Sequence, residues 1–310
     1  MAGAYGGPEV LSVIDESVPE PGPGQVAIAV RAAGVNPFDH KVYSGAFGTD
    51  PALLPLRLGG EAAGVVTAVG ADAVGPAGPI RVGDEVIAYR VPGAYAAELL
   101  APASAVVPKP AALSWEQAAG LLAAGATAAH VLEALGVSKG ETVLFHGAAG
   151  GVGLLAVQLA VGRGATVLGT ASPAKHDLLR ELGVIPIAYG PGLAERVRAA
   201  APDGVDAAAD LVGTDEALDV SLELVPDRAR IATIVSFARG AEAGIRLLGG
   251  APGAEPGTDI RAAARLQLTE AAAAGRLTVL VAASYPLREA AAAHRHILEG
   301  HTSGKIVLVP

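Results

Sequence analysis

Residues 141–161 read E-T-V-L-F-H-G-A-A-G-G-V-G-L-L-A-V-Q-L-A-V, a short apolar run, a glycine-rich turn and a second apolar run. Gly150 and Gly153 take the second and third places of a G-x-G-x-x-G fingerprint, with Gly151 and Val152 between them and Ala148 where the first glycine would be. A strand feeding such a turn and then a helix aims backbone N–H groups and a helix N-terminus at one point, where a pyrophosphate can sit. The second glycine lets the backbone approach the phosphates, and the third lets the helix pack closely on the strand. The bland alternative is an ordinary strand-to-helix turn, but both flanks are right for dinucleotide binding.

About 20 residues beyond such a fingerprint, a site for NAD places an acid on the ribose. Here the run V-L-G-T-A-S ends at Ser172, and Lys175 follows; no acid stands at that place. A hydroxyl donor and a cation suit a 2′-phosphate, which a carboxylate would repel. NADPH is therefore expected over NADH. The alternative is that Ser172 and Pro173 start a helix and Lys175 is a solvated charge.

Other chemistries are disfavoured. The chain has no cysteine, hence no disulfide, thiol nucleophile or thiolate metal site. G-V-S-K-G at 136–140 spells a hydrolase pattern, but it follows a helical run and precedes a strand, the reverse of a nucleophile elbow. His294 and His296 are two apart on a predicted helix, so they point to different faces, and both read as solvated or capping residues. A formal charge of −9 disfavours nucleic acid as a partner. No apolar run reaches the roughly 18 residues of a membrane span, and no secretion signal is visible at the start, so a cytoplasmic location is expected.

These residues need a scaffold. An apolar fraction of 51% in 310 residues is enough for two domains with a substantial core. Up to about residue 110 the chain shows short β-type runs at 26–30, 63–69 and 84–89, separated by P-E-P-G-P-G and G-P-A-G-P, as in a partly closed β-domain. Ser114 and Gln117 form a capping-box signature ahead of a helix. Beyond 142, strands at 142–146, 165–169, 184–188, 206–211 and 230–235 alternate with helices at 173–182, 191–200 and 214–225. That alternation predicts an α/β fold with a doubly wound parallel sheet. A sixth strand is expected at 244–248, a loop at 251–258, then a helix, a strand at 277–281, an Ala-rich helix and a last strand at 305–309.

In order along the chain stand G-G-P-E-V-L (6–11), A-A-G-V-N-P-F-D (32–39), L-G-G-E-A-A-G-V-V (58–66), V-G-D-E-V (82–86), G-A-Y-A-A-E (93–98), the fingerprint, and G-H-T-S-G-K-I-V-L (300–308). With this ordered set the whole chain resembles the zinc-independent quinone oxidoreductases of the medium-chain dehydrogenase/reductase superfamily. The resemblance implies a β-rich GroES-like catalytic domain from residues 1–112 and 253–310, and a Rossmann domain from 113–252. It also implies a nicotinamide coenzyme in the cleft and a homodimer along the Rossmann sheet edge at 244–248.

The same likeness assigns roles. Asn36 and Thr127 would lie near the nicotinamide and its ribose. Gly213 and the stretch Val235–Phe237, after the fourth and fifth strands, would border the same groups. Gly304 and Lys305 would close over the coenzyme, unless Lys305 is a surface residue, and Tyr189 would reach the 2′-phosphate. Zinc-dependent relatives have Cys and His where this chain has Asn36 and Gly60, so Glu61 alone remains and no metal is expected.

Mitochondrial-type enoyl-thioester reductases carry a tyrosine at the place of Phe47. Tyr43 is the nearest substitute proton donor, with Lys41 and His40 as alternatives, and a surface or wall role open for each. Phe38, Tyr43, Phe47 and Tyr95 would form an aromatic wall for a planar acceptor, or simply pack in the core. The implied activity is NADPH-dependent hydride transfer to a small-molecule quinone or α,β-unsaturated carbonyl. The rivals are an enoyl reductase for thioester or polyketide-type intermediates and a non-catalytic NADPH-binding protein.

Overall fold

The computed structural model describes residues 1–300 and 302–310; His301, inside the last quoted motif, lies outside the described residues. The chain divides into two compact units. One comprises residues 1–123, 265–275 and 279–310, the other 124–264 and 276–278. The sequence reading placed the edges at 112/113 and 252/253. No helix among the described residues is long and apolar enough to cross a membrane.

In chain order the elements are β1 (Gln25–Val35), α1 (Pro37–Tyr43), β2 (Glu61–Val69), β3 (Val74–Gly75), β4 (Gly78–Pro79), β5 (Glu85–Tyr89), β6 (Glu98–Pro102), β7 (Val106–Pro108), α2 (Trp115–Ala119) and α3 (Leu122–Ala134). Then follow β8 (Thr142–His146), α4 (Gly151–Gly162), β9 (Thr166–Ala171), α5 (His176–Glu181), β10 (Ile185–Ala188), α6 (Leu193–Ala200), β11 (Ala207–Asp210), α7 (Asp215–Leu224), β12 (Ile231–Thr233), α8 (Phe237–Glu242) and β13 (Arg246–Leu247). The chain ends with α9 (Thr258–Ala273), β14 (Val281–Pro286), α10 (Ala290–Leu298) and β15 (Lys305–Val309).

In the first unit, β14-β15-β1-β2-β5-β7 form one sheet, with β6 also paired to β1. Inward Val26, Ile28, Val66, Val86 and Leu99 fill its core, each at most 3% exposed. The last strand matters most for function. β15 runs antiparallel to β1 with Val35 opposite Ile306, so the residue after Val35 and the residue before Ile306 are neighbours although they stand at opposite ends of the chain.

The second unit holds the six-stranded parallel sheet β10-β9-β8-β11-β12-β13. Counted along the chain this is order 3-2-1-4-5-6, the doubly wound arrangement whose ligand crevice opens at the carboxyl ends of the first and fourth strands. Apolar Leu144, Leu168 and Ala208 along its strands are fully buried, as a sheet covered by helices on both faces requires.

Two elements depart from the sequence reading. The expected strand at 277–281 is instead β14 at Val281–Pro286. Thr278 spends its backbone on a side chain, its N–H donating to Gln158 Oε1 (2.8 Å) and its carbonyl accepting from Gln158 Nε2 (3.0 Å), so no ladder forms there. The long helix after Ser114 is broken at Gly120 into α2 and α3. A Cβ on Gly120 would stand 3.0 Å from the Lys305 side chain, and Glu61 Oε2 takes the Ala123 N–H at 2.7 Å, so a buried carboxylate restarts the helix at α3.

Candidate active site

The glycine turn belongs wholly to the second unit. Gly147, at φ +74°, leaves β8, and its N–H donates to Thr170 Oγ1 (3.1 Å) while the Ala148 N–H donates to the Thr170 carbonyl (3.0 Å), tying the turn to β9. A Cβ on Gly153 would lie 2.2 Å from the Gly147 carbonyl oxygen, so the third glycine is demanded by helix-on-strand packing. At Gly150 a Cβ would meet only that oxygen, at 3.3 Å. The protein itself does not crowd Gly150; its bareness leaves room on the outer side of the turn. No side chain caps α4, so the first-turn amides of Gly151, Val152 and Gly153 lack a side-chain acceptor.

Across the switch point, buried Asp210 at the end of β11 organises the facing loops. Its Oδ1 accepts from the N–H groups of Val212 (3.0 Å) and Gly213 (2.7 Å), and its Oδ2 from Thr233 Oγ1 (2.8 Å) and Ser236 Oγ (2.9 Å). Thr233 Oγ1 in turn accepts from Val235 N–H at 3.1 Å. One carboxylate thus holds Gly213, Val235 and the start of α8 at Phe237. An acid closing the Ala-rich strand Ala207–Asp210 is the sequence signal that points to it.

Next to the turn, β10 pairs with β9 in parallel with Ala188 opposite Ala171, so Tyr189 and Ser172 leave the sheet side by side. Ser172 stands at the N-cap position of the short 3-10 turn Pro173–Lys175, with Pro173 at its first position, and its hydroxyl makes no capping bond there. Tyr189 is 54% exposed. Thr127 lies on α3, its Oγ1 accepting from Arg261 Nη1 at 2.7 Å.

In the first unit, Asn36 caps α1 directly after β1. Its Nδ2 donates to Glu61 Oε1 (3.1 Å), and its Oδ1 accepts from Lys305 Nζ. The same ammonium donates to the Val35 carbonyl (3.2 Å) and pairs with Glu61 Oε1 (3.3 Å). Glu61 is fully buried and the Lys305 side chain is 5% exposed, so Lys305 is no surface residue. The amide of Asn36, gripped at oxygen and nitrogen by opposite charges, has one orientation. Gly304 makes the approach possible: at φ +94°, a Cβ there would lie 2.3 Å from the Leu280 carbonyl that Lys305 N–H bonds.

Comparison with known proteins agrees with this anatomy. Residues 22–111 match the alcohol dehydrogenase GroES-like domain, and residues 186–308 match a family described as zinc-binding dehydrogenase. Quinone oxidoreductase 1 of Escherichia coli is 33% identical over 330 residues, covering 99% of this chain and 97% of that protein. The chain belongs to the zinc-independent quinone oxidoreductase family of the medium-chain dehydrogenase/reductase superfamily. The Escherichia coli quinone oxidoreductase solved with NADPH superimposes with a TM-score of 0.85 at 28% identity, over 99% of this chain and 98% of that one. The spectinabilin polyketide synthase system protein NorB of Streptomyces orinoci is 36% identical over 323 residues, which is 96% of this chain but 14% of that protein. The chain spans about half the length of several other curated relatives it matches.

In this member of the family Glu61 is fully committed inside the protein. Glu61 bonds Asn36, Lys305 and the N-terminus of α3, and among the described residues no group of three His, Cys, Asp or Glu is placed to hold a metal ion.

The aromatic residues do not form one wall. Phe38 and Phe47 pair on the surface, with ring centroids 5.5 Å apart and 54% and 48% exposure. Tyr43 and Tyr95 turn inward instead. Tyr43 is fully buried with its hydroxyl 2.8 Å from His294 Nδ1, and Tyr95 OH lies 3.1 Å from His294 Nε2 and donates to Asp39 Oδ2 at 2.9 Å. Burial raises the pKa of Tyr43, so the expectation of a proton donor at that position is corrected: the hydroxyl is sealed in and tightly held. His40 lays its ring edge-on to Tyr43 at 5.2 Å. His294 is likewise corrected from a solvated or capping residue to a fully buried one, while His296 faces elsewhere and bonds Tyr285 OH at 3.0 Å.

Burial of these titratable groups is expected to make the folded state lose stability in acid. His130, His146 and His294, each at most 1% exposed, are lowered to about 4 by desolvation, and Asp39 is raised to about 6 by the same cause. For the histidines the stability present above their unfolded pKa near 6.5 is lost as pH falls toward 4. Asp39 acts in the opposite sense, since only the folded chain holds its proton between about 6 and 4. Three protons against one leave a net loss of roughly 2 kcal/mol per pH unit near pH 5. Urea midpoints measured from pH 7 to 4.5 should fall accordingly; a flat profile would refute the assignment of neutral buried histidines.

Proposed function

We propose that this chain is an NADPH-dependent oxidoreductase that reduces a quinone or an α,β-unsaturated carbonyl. The observation that carries the coenzyme choice is the adjacent placement of Ser172 and Tyr189 at the ends of two neighbouring strands, with Lys175 one turn on and no carboxylate at the end of β9. The second unit is the coenzyme domain on this reading and the first the substrate domain. β13, at the edge of the second unit's sheet, is the proposed homodimer seam.

A bound nicotinamide coenzyme would supply the hydride. The protein's own part is positional. Gly147–Gly153 would cradle the coenzyme's pyrophosphate at the uncapped start of α4. Asp210 fixes Gly213 and Val235 at the switch point. Lys305 and Glu61 lock Asn36 so that its amide meets the reacting groups without reorganisation. The exposed Phe38–Phe47 pair, its rings tilted by 39°, offers an apolar aromatic surface to a conjugated acceptor, whose own π-system spreads the arriving charge.

The 36% identity to the polyketide synthase protein over almost the whole chain supports a second reading, an enoyl reductase acting on polyketide-type thioesters. NADPH oxidation against quinones, enones and enoyl thioesters separates the two. In the same assay Lys175→Ala should weaken NADPH binding ten- to a hundredfold, the worth of a charged hydrogen bond, and leave NADH unchanged. Equal loss for both coenzymes, or none, would remove the 2′-phosphate assignment.

A further inference from the structure

Tyr189 stands on a four-residue loop, Tyr189–Gly192, between β10 and α6, and more bonds hold that loop than its length needs. Gly190 (φ +98°) and Gly192 (φ +84°) are both left-handed, a path that glycine takes freely. Arg196, in the first turn of α6, folds back over the loop. Its Nε donates to the Ala188 carbonyl (2.9 Å), Nη2 to the Gly190 carbonyl (2.8 Å) and Nη1 to the Pro191 carbonyl (2.8 Å). From α7, Glu216 Oε2 accepts the Gly190 N–H at 2.9 Å. Carbonyls on both sides of Tyr189 are thus gathered by one planar fork. Bare Gly192 leaves the space for it, since a Cβ there would lie 3.2 Å from Nη1.

An arginine in the first turn of a helix sits at the positive end of the dipole, where a cation is unfavourable. Here three carbonyl dipoles compensate it. Those bonds use one N–H on each of the guanidinium's three nitrogens, and all three go to the loop backbone, so the contacts Arg196 makes here are with the loop it holds. What the loop carries is a half-exposed aromatic ring with a hydroxyl, beside Ser172. A half-exposed aromatic on a loop held this firmly is placed to meet a ligand.

We propose that Arg196 is a positioning residue for coenzyme selection, which fixes Tyr189 so that its hydroxyl and that of Ser172 converge on a 2′-phosphate. This rests on the NADPH reading above. The fork geometry is what matters. A lysine at the same place is a point charge with no planar fork to span the three carbonyls in one fixed geometry, and a methionine donates to none.

The test is coenzyme titration of the full chain. Arg196→Met should raise the NADPH Kd about five- to tenfold, the worth of one phosphate hydrogen bond, while the NADH Kd changes less than twofold. In a Tyr189→Phe background the same substitution should add almost nothing, because both act on one contact. Equal weakening of both coenzymes, or additive effects with Tyr189→Phe, would show a merely structural role and overturn the proposal. If Arg196→Met does not fold, Arg196→Lys is read by the same criteria. Lys175→Ala separates the two levels of inference: if it leaves NADPH binding intact, the NADPH reading fails; if it weakens NADPH and Arg196→Met does not, this proposal alone fails.

Discussion

Lys305→Met is expected to cost about 3–5 kcal/mol of stability, the range found when one partner of a buried ion pair is removed. The reason lies less in the lost pair than in what stays behind. Glu61 has no exposed surface, and its carboxylate would keep only the Asn36 amide and the Ala123 N–H against its charge. Methionine matches the length of the lysine stem that packs on Gly120, so lost volume contributes little. The double variant Lys305→Met, Glu61→Gln is therefore the decisive one. It removes the orphaned charge, and a neutral amide can still accept the Ala123 N–H, so most of the stability should return.

Turnover should not return with it. Asn36 is oriented by a cation at its oxygen and an anion at its nitrogen, and the double variant has neither. Urea denaturation of the single and double variants, together with kcat on the best acceptor from the panel above, reads both effects. Recovery of stability with kcat still down tenfold or more supports a positioning role for Lys305. Recovery of both would reduce the cluster to a structural ion pair.

The glycine turn was legible in the sequence because its parts are local: strand, turn and helix fall within 21 residues, and each residue type reports its own backbone need. The parallel sheet was legible for the same reason, through alternation. Lys305 and Asn36 stand 269 residues apart, and only the antiparallel register of β15 on β1 makes them neighbours. Position alone left Lys305 open between a coenzyme contact and a surface charge. Tyr43 and His294 are separated by 251 residues, and an Ala-rich helix gives no hint which of its faces is inside. The strand expected at 277–281 shows the converse limit: L-T-V-L-V has the right composition, but one glutamine side chain takes the backbone groups of Thr278.

Gly153→Ala should be the more damaging of two alanine substitutions in the turn, and the contrast with Gly150→Ala separates packing from ligand space. A methyl at 153 would lie 2.2 Å from the Gly147 oxygen and 2.7 Å from the carbonyl of Ala148, all backbone with no flexible end to yield. α4 would have to lift from β8, exposing Leu154, Leu155 and Val157, which are now at most 3% exposed. Overpacking of this kind costs about 3 kcal/mol or more. At 150 the nearest atom is 3.3 Å away and φ is −77°, so alanine fits the backbone and stability should change by less than about 1 kcal/mol. Its methyl would still project where a pyrophosphate must approach, so NADPH and NADH should weaken together, in contrast to the selective loss expected at Lys175. Gly162→Ala, exposed at the far end of the same helix with nothing within 4 Å, is the control and should stabilise by up to about 1 kcal/mol. Thermal unfolding and coenzyme titration of the three variants decide the matter. If Gly150→Ala binds both coenzymes as tightly as the parent, the turn is a packing device and the pyrophosphate lies elsewhere.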